Sequence, residues 1–196
     1  MGRPLTIGLT GGIAAGKSEA LAALERLGAA TISSDAIVHE LLDGEPLRGR
    51  VVERWGRDVA PGGRIDRSRL GEVVFAQPGE LAWLESEVHP LVGARISEWL
   101  TSLPERTEVA VVEVPLLFEA AMEDVFDVTL AVIADDDVRG RRAGERGQAL
   151  VREREERQLS QRDKAGRADH VVRNDGSLED LERALAGVLG QVRDRG

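Results

Sequence analysis

The stretch "GLTGGIAAGKSEA", residues 8–20, constrains the fold more than any other part of this 196-residue chain. Gly11, Gly16, Lys17 and Ser18 meet the pattern G-x-x-x-x-G-K-S. The run before it, "LTIGLT", is apolar enough for a short buried strand. After it, "SEALAALERLG" repeats Leu21, Leu24 and Leu27 at helical spacing, and Gly28 supplies a stop. Strand, glycine loop and helix in that order are the setting of a phosphate-binding loop.

The residue types follow from what a polyphosphate needs. Several negative charges call for many donors close together. Glycine lets the backbone approach without a Cβ clash and turn successive N–H groups inward. A helix starting near Lys17 adds the positive end of its dipole and its unpaired N–H groups. Lys17 then reaches the β- and γ-phosphates, and the Ser18 hydroxyl holds Mg²⁺. The candidate ATP-binding run is therefore Gly11, Gly12, Ile13, Ala14, Ala15, Gly16, Lys17, Ser18 and Glu19. The chain has 24 arginines but two lysines, Lys17 and Lys164. A lysine inside the loop fits a place that needs a compact ammonium rather than a planar fork.

Composition narrows the function classes. A chain of this length fits one domain with appended subdomains. A net charge of −9 and a shortage of aromatics (three Phe, three Trp, no Tyr) argue against nucleic-acid or membrane-surface binding. Without cysteine, thiolate catalysis, disulfides and Cys-ligated zinc are excluded. The N-terminus runs straight into the first strand, and no apolar run has the length of a membrane helix, so a soluble cytoplasmic protein is expected.

Further strands read as "AATISSD", "EVAVVEVPLLFE", "DVTLAVIA" and "DHVVRND", with helical patterns between them. The last helix, "SLEDLERALAGVLGQVRD", has Ser177 as N-cap and Asp180 three residues on. This alternation predicts an α/β domain with a parallel sheet. Residues 38–104 interrupt it with helices: Asp66 is a cap for "RSRLGEVVF", and Pro90 predicts a helix junction at His89. Residues 139–167 hold ten basic residues against five acids. Within them Arg142 and Arg146 share a face if the helix continues, with Gly140, Gly144 and Gly147 as hinge points. A helical insertion and an Arg-rich segment on a parallel sheet are the plan of small-molecule kinases. The expected parts are a nucleotide-binding core (1–37, 105–137 and 168–196), a helical acceptor domain (38–104) and a lid (138–167).

Ligands in such sheets sit beyond the carboxyl ends of the strands. Asp35 falls there, as a base for an acceptor hydroxyl or as an N-cap for "AIVHELL". Glu113 lies in a buried run, where a charge calls for a partner, so it is a candidate near Mg²⁺ or substrate. Glu119 reads equally as a surface residue. His39 and His170 read as structural. His89 is a candidate contact for an acceptor phosphate or carboxamide, or a residue at a helix junction. "GRIDRSRL" offers Arg64, Arg67 and Arg69 beside Val73, Val74 and Phe75, charged and apolar surface for a long acceptor. No Asn-Lys-x-Asp motif supports a GTPase, since Asn174, the one asparagine, is followed by Asp175. Other readings are a non-catalytic ATP-binding module and a kinase for another small hydroxyl acceptor, such as a nucleoside monophosphate or shikimate.

Together "GLTGGIAAGKS", "SSDAIVHEL", "GRIDRSRLGEVVF", "HPLV", "EVPLLFE", the Arg142/Arg146 pair and "ADHVVRNDGS" resemble bacterial dephospho-coenzyme A kinase across essentially the whole chain. The resemblance implies a P-loop nucleoside-kinase-like three-layer fold with a five-stranded parallel sheet, a helical substrate domain and a lid. It implies ATP- and Mg²⁺-dependent phosphorylation of the ribose 3′-hydroxyl of dephospho-coenzyme A. It also implies Asp35, Lys17 and Arg142 as catalytic residues, and Arg142 and Arg146 as ATP-binding lid arginines. Asp35, Arg69, His89 and Leu116 would contact the acceptor, and Ser18 with Glu113 would serve the metal. Two positions depart from the family pattern: Ser33 stands where an acid is common two residues before Asp35, and Glu19 where a hydroxyl is common.

Overall fold

The computed structural model describes residues 3–77, 79–144 and 158–194. They divide into two compact units, Met1–Ser33 with Leu103–Gly196, and Ser34–Ser102.

The first unit is built on a parallel sheet of five strands in the order β2-β3-β1-β4-β5. These are β1 (Leu5–Gly11), β2 (Ala30–Ser33), β3 (Val109–Glu113), β4 (Val128–Ile133) and β5 (His170–Arg173). The sequence of β1 explains its central place. Leu5, Ile7 and Leu9 alternate with Thr6, Gly8 and Thr10, so one face is bulky and the other small. The bulky face joins Val109, Val111, Leu130 and Val132 in a core closed by helices α1 (Lys17–Arg26) and α8 (Leu178–Arg193). Helix α8 begins with the expected capping box between Ser177 and Asp180. On the small face, Thr6 bonds Asp127 and Thr10 bonds the Pro115 carbonyl. Leu117 and Phe126 lie so close over Gly8 that a Cβ there would meet them at 2.5 and 2.6 Å.

The long apolar run "EVAVVEVPLLFE" yields strand only as far as Glu113. Val114 still donates to the Leu9 carbonyl, but Pro115 has no N–H, and residues 115–121 turn instead. Helices α6 (Asp136–Gly144) and α7 (Gln161–Arg167) complete this unit.

The second unit holds helices α2 (Ser34–Asp43), α3 (Leu47–Trp55), α4 (Arg67–Ala76) and α5 (Glu80–Ser102). It has its own core, from Leu42, Leu47 and Val51 to Leu70, Val74 and Val88. Asp66 caps α4, accepting from the Ser68 and Arg69 amides. The junction expected at His89 is absent, because α5 runs unbroken through Pro90. Proline there forfeits one helical hydrogen bond. Leu81, Leu84 and Val88 before it, and Leu91 and Val92 after it, all pack on the same core, which holds both halves in line.

Candidate active site

The glycine loop joins the end of β1 to the start of α1. Gly16 has φ 94°, a left-handed conformation that favours glycine, and Ala14 is also left-handed at 58°. Lys17 folds back over the loop, its Nζ donating to the Gly11 and Gly12 carbonyls at 3.1 Å each. These are weak neutral acceptors, which a bound phosphate would outcompete for the ammonium. Ser18 and Glu19 are exposed in the first turn of α1.

Side chains from beyond β4 and β5 brace the loop from behind. Asn174, 4% exposed, donates from Nδ2 to the Ala15 carbonyl at 2.9 Å. Arg139 donates from Nε to the Ile13 carbonyl at 2.8 Å, and Arg142 reaches the Ala15 carbonyl at 3.5 Å. Asp175 accepts from the Asp135 amide, and this bond holds its carboxyl below the ordinary range. Arg173 and, through charge alone, Arg142 push it the same way. Two arginines of α6 are thus already at the loop. Arg146 lies outside the described residues.

Glu113 ends β3, only 7% exposed, paired in register with Leu9 on one side and Ser33 on the other. Leu116 is half-buried in the turn just beyond. The expectation that Glu119 reads as surface is corrected. Its carboxylate meets the Lys164 ammonium at 3.0 Å and accepts from the Leu159 amide at 2.8 Å. Lys164 itself is fully buried, not part of an exposed basic face. Burial pushes its ammonium down from the usual lysine value, and Glu119 pulls back against that. A cavity of about 440 Å³ opens beside the loop, lined by Gly12, Ile13, Arg139, Gln158, Gln161 and Arg162 among others.

In the helical unit, Asp35 falls inside the first turn of α2, one residue past the helix start, so it is not the N-cap. Its carboxylate is exposed and has no hydrogen-bond or ion-pair partner among the described residues. His89 is exposed on α5. Arg69 is held by the Asp58 carbonyl at 3.0 Å, and Arg64 by Asp43 at 2.9 Å. Val74 belongs to the core, and Val73 packs on it; only Phe75, 46% exposed, presents apolar surface. The apolar surface expected beside the "GRIDRSRL" arginines is therefore smaller than the sequence suggests.

Among the described residues no three His, Cys, Asp or Glu side chains gather as a metal cage. A Mg²⁺ site made of one hydroxyl, at most one or two carboxylates, water and substrate phosphate needs no such cage. Ser18 and Glu113 fit that donor set.

A protein-family model of dephospho-CoA kinase (CoaE) matches residues 5–180. The chain belongs to the dephospho-CoA kinase family. A dephospho-CoA kinase of Streptomyces avermitilis is 41% identical over 196 residues, covering 97% of this chain and 95% of its own. The crystal structure of TT1252 from Thermus thermophilus superposes with a TM-score of 0.83 at 36% identity, over 97% of this chain and 98% of that one. Dephospho-CoA kinase from Campylobacter jejuni gives a TM-score of 0.70 at 25% identity, with the same coverage. As a dephospho-CoA kinase family member, the chain is a P-loop α/β kinase, and ATP is the implied phosphoryl donor. The Ser33 departure has a local consequence. An acid there would sit beside Glu113 in register, two carboxylates side by side on neighbouring strands. Serine removes that repulsion and leaves Glu113 the carboxylate of the row.

Four residues that support this site were given no such role by pattern: Asn174, Arg139, Lys164 and Glu119. For Lys164 a signal existed, since it is the one lysine besides Lys17 in an arginine-rich chain.

Proposed function

We propose that the chain transfers the γ-phosphoryl group of ATP to the ribose 3′-hydroxyl of dephospho-CoA, giving coenzyme A and ADP. The observation that carries this is a braced P-loop in a chain that matches the family along nearly its whole length. Nucleotide phosphates lie in the loop from Gly11 to Glu19, on its amides and the start of α1. Lys17 leaves the Gly11 and Gly12 carbonyls and takes up the β- and γ-oxygens, where it offsets charge that builds on the transferred group. Arg142 swings from the Ala15 carbonyl to a phosphate oxygen, a match for its planar fork. Arg146 joins it in a lid over 138–167. Toward the end of that stretch, Lys164 is anchored by Glu119 and the Pro115 carbonyl.

Asp35 accepts the proton of the 3′-hydroxyl as its oxygen bonds to the γ-phosphorus. The bond from that phosphorus to the β-bridging oxygen breaks, and ADP leaves. An exposed carboxylate with no structural bond to give up is suited to this. Arg69, His89 and Leu116 hold the acceptor. Ser18, with Glu113, would hold Mg²⁺, which when bound neutralises phosphate charge. A reaction that spends ATP on a coenzyme precursor supports a cytoplasmic location.

An ADP-release assay with dephospho-CoA, AMP, adenosine and shikimate tests the reading, with phosphorus NMR assigning the new phosphate. Dephospho-CoA should give by far the highest kcat/KM, with phosphate on the 3′ oxygen. A comparable kcat/KM for AMP or shikimate would overturn the acceptor while leaving a P-loop kinase.

A further inference from the structure

Helix α7 has seven residues, yet it fastens three strand ends at once. Gln161 bonds both the amide and the carbonyl of Ala134, just past β4, at 2.9 Å each. It also lies against the P-loop, where a Cβ on Gly12 would meet its Cγ at 2.5 Å. One turn on, Lys164 donates to the Pro115 carbonyl at 2.6 Å, past the end of β3. The same carbonyl accepts from the Thr10 hydroxyl of β1 at 3.2 Å. Arg167 pairs with Glu123 and lies 4.8 Å over the Phe118 ring. The centre of this arrangement is the Lys164–Glu119 pair, whose second carboxylate oxygen is buried without a hydrogen-bond partner among the described residues.

A buried ion pair is a poor way to gain stability, because desolvating two charges offsets most of their attraction. Methionine against leucine would fill the space at less cost. What the pair supplies is geometry. Lys164 and Glu119 fix both ends of the turn that carries Leu116, from Pro115 to Glu119. Glu119 also accepts from the Leu159 amide, which ties the stretch leading into α7 to the same turn. The ammonium suits this place because it is a compact point charge on a slim stem, and it reaches two oxygens, of Glu119 and of Pro115, in a fully buried site.

We infer that Lys164 and Glu119 are positioning residues for phosphoryl transfer: the pair holds the Pro115–Glu119 turn in register with the P-loop so that the acceptor hydroxyl meets the γ-phosphate. Neither side chain touches substrate. The pair acts through Leu116 on the acceptor side, so its loss shows with the acceptor and spares the nucleotide. This rests on the acceptor contacts proposed above for dephospho-CoA.

The test compares Lys164→Met, the double variant Lys164→Met with Glu119→Leu, and Glu119→Gln. Lys164→Met strands a buried carboxylate and should lower Tm by about 10 °C. The double variant removes both charges and should recover most of that loss. If the pair were only structural, the recovered protein would also recover its kinetics. The expected result is a kcat/KM for dephospho-CoA at least about tenfold below the unaltered protein, with affinity for a non-hydrolysable ATP analogue within about twofold. Unchanged kinetics, or equal losses for both substrates, would overturn the inference. Glu119→Gln keeps an acceptor for Lys164 and for the Leu159 amide, so its kcat/KM for dephospho-CoA should stay close to that of the unaltered protein; should the double variant not fold, Lys164→Met, assayed well below its Tm, decides by the same criteria. Amide hydrogen exchange across residues 114–122 separates this inference from the choice of acceptor. Exchange there should quicken in the double variant whatever the substrate, and unchanged exchange would sink the latch on its own. Failure of the unaltered protein to use dephospho-CoA would instead refute the functional reading.

Discussion

Asn174 and Gly16 occupy almost the same space: a Cβ built on Gly16 would lie 2.0 Å from the Asn174 Nδ2. The contact links the turn after β5 to the turn before α1. It shows why glycine stands at the last loop position before Lys17, beyond its left-handed φ of 94°. Gly16→Ala therefore carries two penalties: about 1–2 kcal/mol of backbone strain and a clash that drives Asn174 off the Ala15 carbonyl. Titration with a non-hydrolysable ATP analogue should show affinity falling about tenfold or more. Adding Asn174→Ala removes the clash but not the strain, so the double variant should bind better than Gly16→Ala alone. Additive losses in that cycle would mean the two residues act independently.

Lys17→Ala separates the loop's architecture from its chemistry. Its Nζ donates to carbonyls of its own loop, and the brace from Asn174 and Arg139 does not pass through it. Tm should hold, while kcat falls by about 10²–10³ or more, as when a group that stabilises transition-state charge is removed. A folded Lys17→Ala protein with near-normal turnover would rule out this role.

The features that were legible in the sequence are those that local chemistry decides. The apolar run "LTIGLT" marked β1 as a buried strand; the Asp66 and Ser177 caps needed only their own first turns. What the pattern missed depends on partners far along the chain. Pro90 breaks a helix by local rules, but Val88 and Leu91 pack on either side of it and the helix continues. Lys164 sits among arginines in the sequence, and nothing nearby announces that Pro115 and Glu119 will bury it. Asn174 reads from the sequence only as the end of the strand "DHVVRND", because its partner, the Ala15 carbonyl, is at the other end of the sheet's chain order.

Acid titration has a definite sign at Asp127. Its carboxylate accepts from Arg3 at 2.6 and 2.7 Å and from the Thr6 amide and hydroxyl at 2.8 and 2.9 Å. The Arg3 bond is the main cause holding its carboxyl far below the usual range; burial opposes it and the Thr6 bonds assist. A carboxyl depressed in the fold stabilises above its unfolded pKa, about 3.9, and loses that contribution as pH falls toward the folded value. Asp127→Asn should cost about 1–2 kcal/mol at pH 7, the lower part of the range because Arg3 is 69% exposed. Denaturant melts of both proteins should converge below about pH 4. A gap that widens on acidification would contradict the assignment.

Asp35→Asn distinguishes a base from a helix-end charge. The helix starts at Ser34, so Asp35 caps nothing, and its only structural contribution is a negative charge near the positive end of α2. Such a charge is worth about 0.3–1 kcal/mol, and asparagine loses only that. As the proton acceptor, however, Asp35 contributes about 10²–10⁴-fold to kcat, and an amide cannot take the proton. The expected outcome is a Tm within a few degrees, unchanged ATP-analogue affinity, and kcat reduced by at least about a hundredfold. A variant with wild-type kcat would return Asp35 to the role of a helix-end charge and leave Glu113 as the carboxylate to test next, by Glu113→Gln in the same assay.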